Sequence, residues 1–146
     1  MEKTEKFALL GAIVFGILTW ALESAFFEFI GRSKYYSWGL FSDPSTTELD
    51  NPTLLVMGLI NLLLIVAGIN ILFKYSSKRV TRKLRKQTTF LYVFGAIFVL
   101  IYGIIIIQEI DGQFGYGWNF WNPGFGIFAL FIESAIFFYL SYLRLK

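Results

Sequence analysis

Two short stretches of this chain place a carboxylate inside an aromatic run: LESAFFEF at Leu22–Phe29 and IESAIFFY at Ile132–Tyr139. Glu23 and Glu133 are therefore the first residues to ask about. An ionised carboxylate in an apolar segment that crosses a membrane costs several kcal/mol, so each needs a proton or a hydrogen-bonding partner. Two kinds of chemistry follow. In a dry, satisfied setting the glutamates tie packed segments together. In a hydrated setting they are proton or cation sites.

The spacing around them favours a packing face. At about 100° per residue, Ala12, Gly16, Thr19 and Glu23 share one helical face, and Gly126, Ala129 and Glu133 share another. Small residues on a membrane helix admit a neighbouring backbone, so both glutamates are expected to face protein rather than lipid. Gly58, Asn61 and Gly68 in a second apolar segment, and Gly95 and Tyr102 in a third, offer matching faces. The expected polar seam is Glu23, Asn61, Tyr102 and Glu133, with Thr19 and Ser134 as further hydrogen-bond partners. Glu23 would lie about 24 Å from one end of its span and Glu133 about 14 Å from the opposite end of its own, so the two need not touch. The spans that carry them run in opposite directions, and the other two spans show no matching similarity. Shared local chemistry therefore explains the echo better than an internal repeat.

The elements that must position these residues are legible from hydropathy. The chain is 56% hydrophobic and 20% aromatic, above the 45–50% or so that is usual for a soluble domain. Four apolar segments, at about 7–30, 53–73, 88–108 and 124–143, are each about 20 residues or longer, enough to cross a ~30 Å hydrocarbon core. Without strict alternation they are not barrel strands. The reading is a single membrane domain over 1–146, all-α, a bundle of four transmembrane helices with a small structured cap from the connecting loops. The first apolar run lacks a cleavage pattern and is expected to be retained.

Composition excludes much chemistry. The chain has no cysteine and no histidine, which removes disulfides, thiol catalysis and His-ligated metals. It contains no phosphate-binding, dinucleotide, nucleophile-elbow or metalloprotease motif. No enzymatic activity and no cofactor are expected.

Charge gives an orientation. Of thirteen Lys and Arg, seven lie in Lys74–Lys86, among them Lys78, Arg79, Arg82, Lys83, Arg85 and Lys86; Lys3, Lys6, Arg144 and Lys146 flank the chain ends, and only Arg32 and Lys34 fall on the other side. By the positive-inside rule, both termini and the middle loop face the cytoplasm, and the plasma membrane is the expected location. The basic loop serves topology first. Contact with anionic lipid headgroups is a second use, and nucleic-acid binding is not expected, because no aromatic stacking platform is interleaved with the charges.

The outer loops differ from the basic one. The first, GRSKYYSWGLFSDPSTTELDNP, is aromatic and then acidic; the second, EIDGQFGYGWNFWNPG, is rich in Gly, Trp and Asn. Trp38, Trp118 and Trp121 all fall on this side, either as an interfacial aromatic belt or as part of a folded cap.

Four spans, cytoplasmic ends, the stretch Trp38-Gly39-Leu40-Phe41 in the first outer loop and a glycine-studded start to the fourth span resemble the claudin and peripheral-myelin-protein tetraspan group. That group carries a Trp–Gly-Leu-Trp pattern in a first outer loop that folds into a small β-sheet. Here Phe41 stands for the last aromatic, the paired loop cysteines are missing, and the loop is about half the usual length. The resemblance implies that Trp38, Gly39 and Leu40 hold an outer cap together. It also implies a non-enzymatic protein that assembles laterally or across membranes, as a scaffold or accessory subunit of a larger complex, with other membrane subunits or copies of itself as partners. The alternative, taken from a different four-span group with a first-span glutamate, is a small proton- or cation-coupled transporter or channel using Glu23 and Glu133.

Overall fold

The computed structural model describes residues 1–28, 32–42, 47–77, 80–114 and 122–146. It contains four helices: α1 (Lys3–Ala21), α2 (Pro52–Ser76), α3 (Arg82–Phe114) and α4 (Phe125–Leu145). Each is long and apolar enough to cross a membrane, and the chain is an integral membrane protein built as a four-helix bundle. Five short strands join them: β1 (Glu23–Glu28), β2 (Arg32–Tyr36), β3 (Leu40–Ser42), β4 (Thr47–Leu49) and β5 (Asn122–Pro123).

The bundle follows from a repeat of small and apolar positions alternating by three and four. In α1 the buried positions include Glu5, Leu9, Ala12, Gly16 and Thr19; in α2 they include Leu54, Gly58, Asn61, Ile65, Gly68 and Tyr75. In α4, Gly126, Leu130, Glu133, Phe137 and Leu140 repeat the pattern. A three-four stripe keeps one narrow face of each helix toward its neighbours over many turns. The helices form a ring in which α4 packs along α1 and α3, and α2 closes against α1 and α3. The opposite faces stay apolar, as at Leu63 and Phe73, which suits a lipid surround. Glycines set the close approaches. A side chain at Gly103 would run into Leu130 and Phe131 of α4, and one at Gly95 would press on Phe137.

Local signals explain the helix boundaries. Asn51 caps α2: its side chain accepts the amides of Thr53 (2.9 Å) and Leu54 (3.4 Å), with Pro52 in the first turn. Thr81 does the same for α3, its hydroxyl accepting the amide of Leu84 at 3.1 Å.

The first span differs from expectation. Helix α1 stops at Ala21 rather than running to residue 30, and Leu22 is already extended. The chain continues directly as β1. The apolar, aromatic run that looks like more helix is instead the second-to-last strand of a five-stranded sheet with the order β4-β3-β2-β1-β5. All its pairs are antiparallel, including Phe26 opposite Lys34, Lys34 opposite Ser42, and Leu40 opposite Leu49. Strand β1 also pairs with β5 through Ala25–Pro123 and Phe26–Asn122, and it carries a bulge between Glu23 and Ala25. A short apolar run fits a buried strand as well as a helix, and here backbone partners on both edges decide for the strand. The sheet caps the end of the bundle opposite the chain termini. Helix α3 extends beyond its expected span of 88–108 at both ends, through Phe114 and back to Arg82.

Candidate functional site: a polar seam at three levels

The apolar stripes carry polar residues at three heights, and these form the candidate site.

At the cap end, the sheet is locked onto the helices by two tryptophans and a serine. Trp38, in the turn between β2 and β3, stacks on Trp20 of α1 with ring centroids 5.3 Å apart and planes 13° from parallel. Its indole N–H donates to the Trp20 carbonyl at 3.2 Å, while the Trp20 indole donates to the Gly58 carbonyl of α2 at 2.9 Å. Ser37 is buried; its hydroxyl donates to the Thr19 carbonyl at 2.9 Å, and its own carbonyl accepts Tyr102 of α3 at 2.7 Å. The cap is thereby bonded to α1 and α3 directly and to α2 through Trp20. Gly58 permits this closeness, since a Cβ there would sit 2.9 Å from Trp38 Cβ. Gly39 follows with φ +83°, its N–H donating to the Tyr36 carbonyl at 3.0 Å and its carbonyl accepting the Asp50 amide at 2.9 Å. Only glycine takes that backbone without strain, and an added Cβ would also strike the Asn51 carbonyl. Leu40 and Phe41 are half-buried in β3, with Phe41 tilted against Tyr35. Tyr35 is fully buried and donates to Asp50 Oδ2 at 3.2 Å. Burial, and then the negative charges of Asp50 and Glu109, push its phenol well above the usual value.

In the middle of the bundle, Glu133 and Asn61 meet. Both are fully buried, and Asn61 Nδ2 donates to Glu133 Oε2 at 3.2 Å, joining α2 to α4. Gly16 of α1 lies against the same carboxyl: a Cβ there would be 2.9 Å from Glu133 Oε1 and 2.8 Å from Ile65 Cγ1. The neighbouring Ser134 donates to the Ala96 carbonyl of α3 at 3.1 Å, so this level engages all four helices. Glu133 Oε1 and Asn61 Oδ1 are buried without a hydrogen-bond partner among the described residues.

The seam expected from sequence is therefore half assembled. Asn61 and Glu133 come together. Tyr102 serves the cap instead of the carboxylate. Glu23 is not on a helical face with Gly16 at all; it is half-buried in β1, opposite Tyr36. Its backbone meets the start of α4. Cβ atoms at Gly124 and Gly126 would collide with the Glu23 and Leu22 carbonyls, so the start of α4 is seated directly on the beginning of β1. The ESA echo thus joins a strand residue to a helix residue.

The third level was not foreseen. At the end bearing the termini, Arg144 of α4 donates to Glu5 of α1 through Nε at 2.8 Å and Nη2 at 2.7 Å, and through Nη2 to Tyr75 of α2 at 3.0 Å. Tyr92 of α3 donates to the same Glu5 oxygen at 3.0 Å, and Thr88 reaches Tyr75 at 3.4 Å. One ion pair and three hydroxyls thus clamp all four helices. The signal was present in the sequence: Glu5 lies seven residues before Ala12, and Arg144 eleven after Glu133, on the same stripes. Of the basic-loop residues, Arg82, Lys83, Arg85 and Lys86 are exposed on the first turns of α3; Lys78 and Arg79 lie outside the described residues, as do Trp118 and Trp121.

No protein-family model, curated protein or solved structure matches this chain. The site is read on its own geometry.

Proposed function

We propose that this is a non-enzymatic tetraspan membrane protein that acts by association, as a scaffold or accessory subunit presenting a rigid cap to a partner. The observation that carries the reading is the locking of a five-stranded sheet onto the bundle through Trp20, Trp38, Ser37 and Tyr102. A catalytic or transport function needs polar groups with capacity left for a substrate. Here nearly every buried polar group named above binds another element of the chain. The claudin-like resemblance belongs to this proposal: strands β2–β4 lie in the outer loop that carries Trp38-Gly39-Leu40-Phe41, where that group folds a small sheet. On this reading the termini and the basic end face the cytoplasm and the cap faces outward, in the plasma membrane, because eleven of thirteen Lys and Arg fall on the terminal side.

Native mass measurement and crosslinking in mild detergent test the reading. The expected result is a homo-oligomer or a co-purifying membrane subunit. A strictly monomeric particle that captures nothing counts against it.

A second reading rests on one specific observation, the two unpartnered acceptors Glu133 Oε1 and Asn61 Oδ1. They are where a proton or small cation would be held if the seam served transport. Glu133→Gln would then abolish pH-driven flux in liposomes while leaving the fold intact.

A further inference from the structure

The first turns of α3 carry a feature that association through the cap does not use. Arg82, Arg85 and Lys86 line one shallow trough of about 510 Å³, together with Thr89, Phe90 and Val93. None of the three cations makes an ion pair or side-chain hydrogen bond with another described residue. Directly below them the surface turns apolar. Phe90 is 70% exposed, and its ring stacks on Phe94, which stacks on Phe98, at centroid distances of 5.9 and 5.6 Å. Ten helical residues span about 15 Å, the depth of one leaflet's hydrocarbon. The face thus offers three positive charges at headgroup height and a flat aromatic ribbon at acyl-chain depth.

A second polar cavity of about 500 Å³ opens at the same end, lined by Glu2, Glu5, Arg85, Arg144 and Lys146 among others. Its two carboxylates oppose an anion, and Arg144 is already held by Glu5. Among the described residues, the α3 trough has no acidic side chain in its lining. Charge therefore selects the trough.

We propose that the Arg82–Arg85–Lys86 face of α3 binds the anionic headgroup of a membrane phospholipid, with an acyl chain lying along Phe90 and Val93. The cations then do more than fix topology: they select a lipid. The proposal goes beyond the association reading and does not depend on it. Each Lys or Arg beside an anionic headgroup raises affinity roughly fivefold, so three give a preference on the order of 100-fold over a zwitterionic lipid.

The test is native mass spectrometry of the full chain, titrated with phosphatidylglycerol and with phosphatidylcholine of the same acyl chains. The expected result is retention of phosphatidylglycerol by about tenfold or more over phosphatidylcholine. R82Q/R85Q/K86Q should bring the two lipids near parity. K74Q/K83Q, which removes two cations lining a different trough at the same end, should keep the preference. Single variants R82Q and K86Q, which disturb the chain least, should each lower it about fivefold. Parity in the unmodified chain overturns the proposal, as does a preference that survives the triple variant or is lost equally in K74Q/K83Q. Soluble glycerol phosphate displacing the lipid at equal concentration would also overturn it, since the site would then read a free anion and not a lipid.

Discussion

Glu133 accepts one hydrogen bond, from Asn61, in a place with no exposure to solvent. Its worth lies mostly in what its loss would leave behind. Glu133→Leu strands the buried Asn61 amide, an unmade bond that costs about 1–3 kcal/mol. Glu133→Gln keeps an acceptor and should stay within about 1 kcal/mol of the unmodified chain. Asn61→Leu/Glu133→Leu removes both partners and should recover part of the loss, because neither is then stranded. Thermal unfolding in detergent reads all three. If Glu133→Leu alone is neutral, the seam is not held by this pair. Gly39 is a second single-residue lever. Gly39→Ala forces a side chain into a left-handed backbone, at about 1–2 kcal/mol, and drives its Cβ toward the Asn51 carbonyl. A midpoint unchanged from the parent would mean that the turn relaxes freely and does not hold the cap.

Among the elements, the sheet depends most on its anchor. Trp38 stacks on Trp20 and donates to its carbonyl, and losing a packed tryptophan side chain typically costs ~3–5 kcal/mol. Because Trp38 is only half-buried, Trp38→Ala should fall at the lower end, about 3 kcal/mol. Trp38→Phe keeps the stacking and loses only the indole N–H, about 1 kcal/mol. A loss within measurement noise for Trp38→Ala would reduce the residue to an interfacial anchor. The same sheet predicts an alkaline limit. Tyr35 has its phenol pKa raised by burial and by Asp50, so the folded cap holds that proton more tightly than the unfolded chain does. The contribution is fully present below about pH 10, the unfolded value, and is lost as pH rises beyond it. Tyr35→Phe should flatten this part of the stability–pH curve. An unchanged alkaline slope would assign the effect to other tyrosines.

The whole molecule is a ring of four helices tied at both ends and at its middle. The clamp of Glu5, Arg144, Tyr75 and Tyr92 closes the end opposite the sheet, with the two charged side chains only 17% and 8% exposed for Arg144 and Glu5. Removing one partner of a buried pair costs about 3–5 kcal/mol, and the residual exposure of Arg144 places Glu5→Gln toward the lower figure. Glu5→Met/Arg144→Met should cost less than Glu5→Gln alone, because no charge is left unpaired. Equilibrium unfolding distinguishes them; a double variant as damaging as the single would show that the clamp contributes by its hydrogen bonds to Tyr75 and Tyr92.

Spans, their number and the polar–small faces were legible because hydropathy and a three-four repeat are local properties of the chain. Those faces offered Asn61, Tyr102, Thr19 and Ser134 alike as partners for the glutamates, since Tyr102 sits seven residues from Gly95 just as Asn61 sits seven from Gly68. Glu5 and Arg144 lie on the same stripes but near the chain ends, where a charge does not by itself point to a buried pair. The fate of the two ESA segments was not local. Ser24-Ala25-Phe26 and Ser134-Ala135-Ile136 have similar hydrophobicity, yet one is strand and the other helix. Strand β1 exists because β2 and β5, distant in sequence on one side, supply its backbone hydrogen bonds, and because the start of α4 has glycines where the β1 carbonyls press. Hydropathy and spacing alone dictate a membrane protein of four helices and most of their buried faces. That Glu23 belongs to a sheet, that Tyr102 turns to the cap and that Glu133, not Glu23, meets Asn61 came from packing, because backbone pairing and helix contact are made between segments whose sequences do not refer to one another.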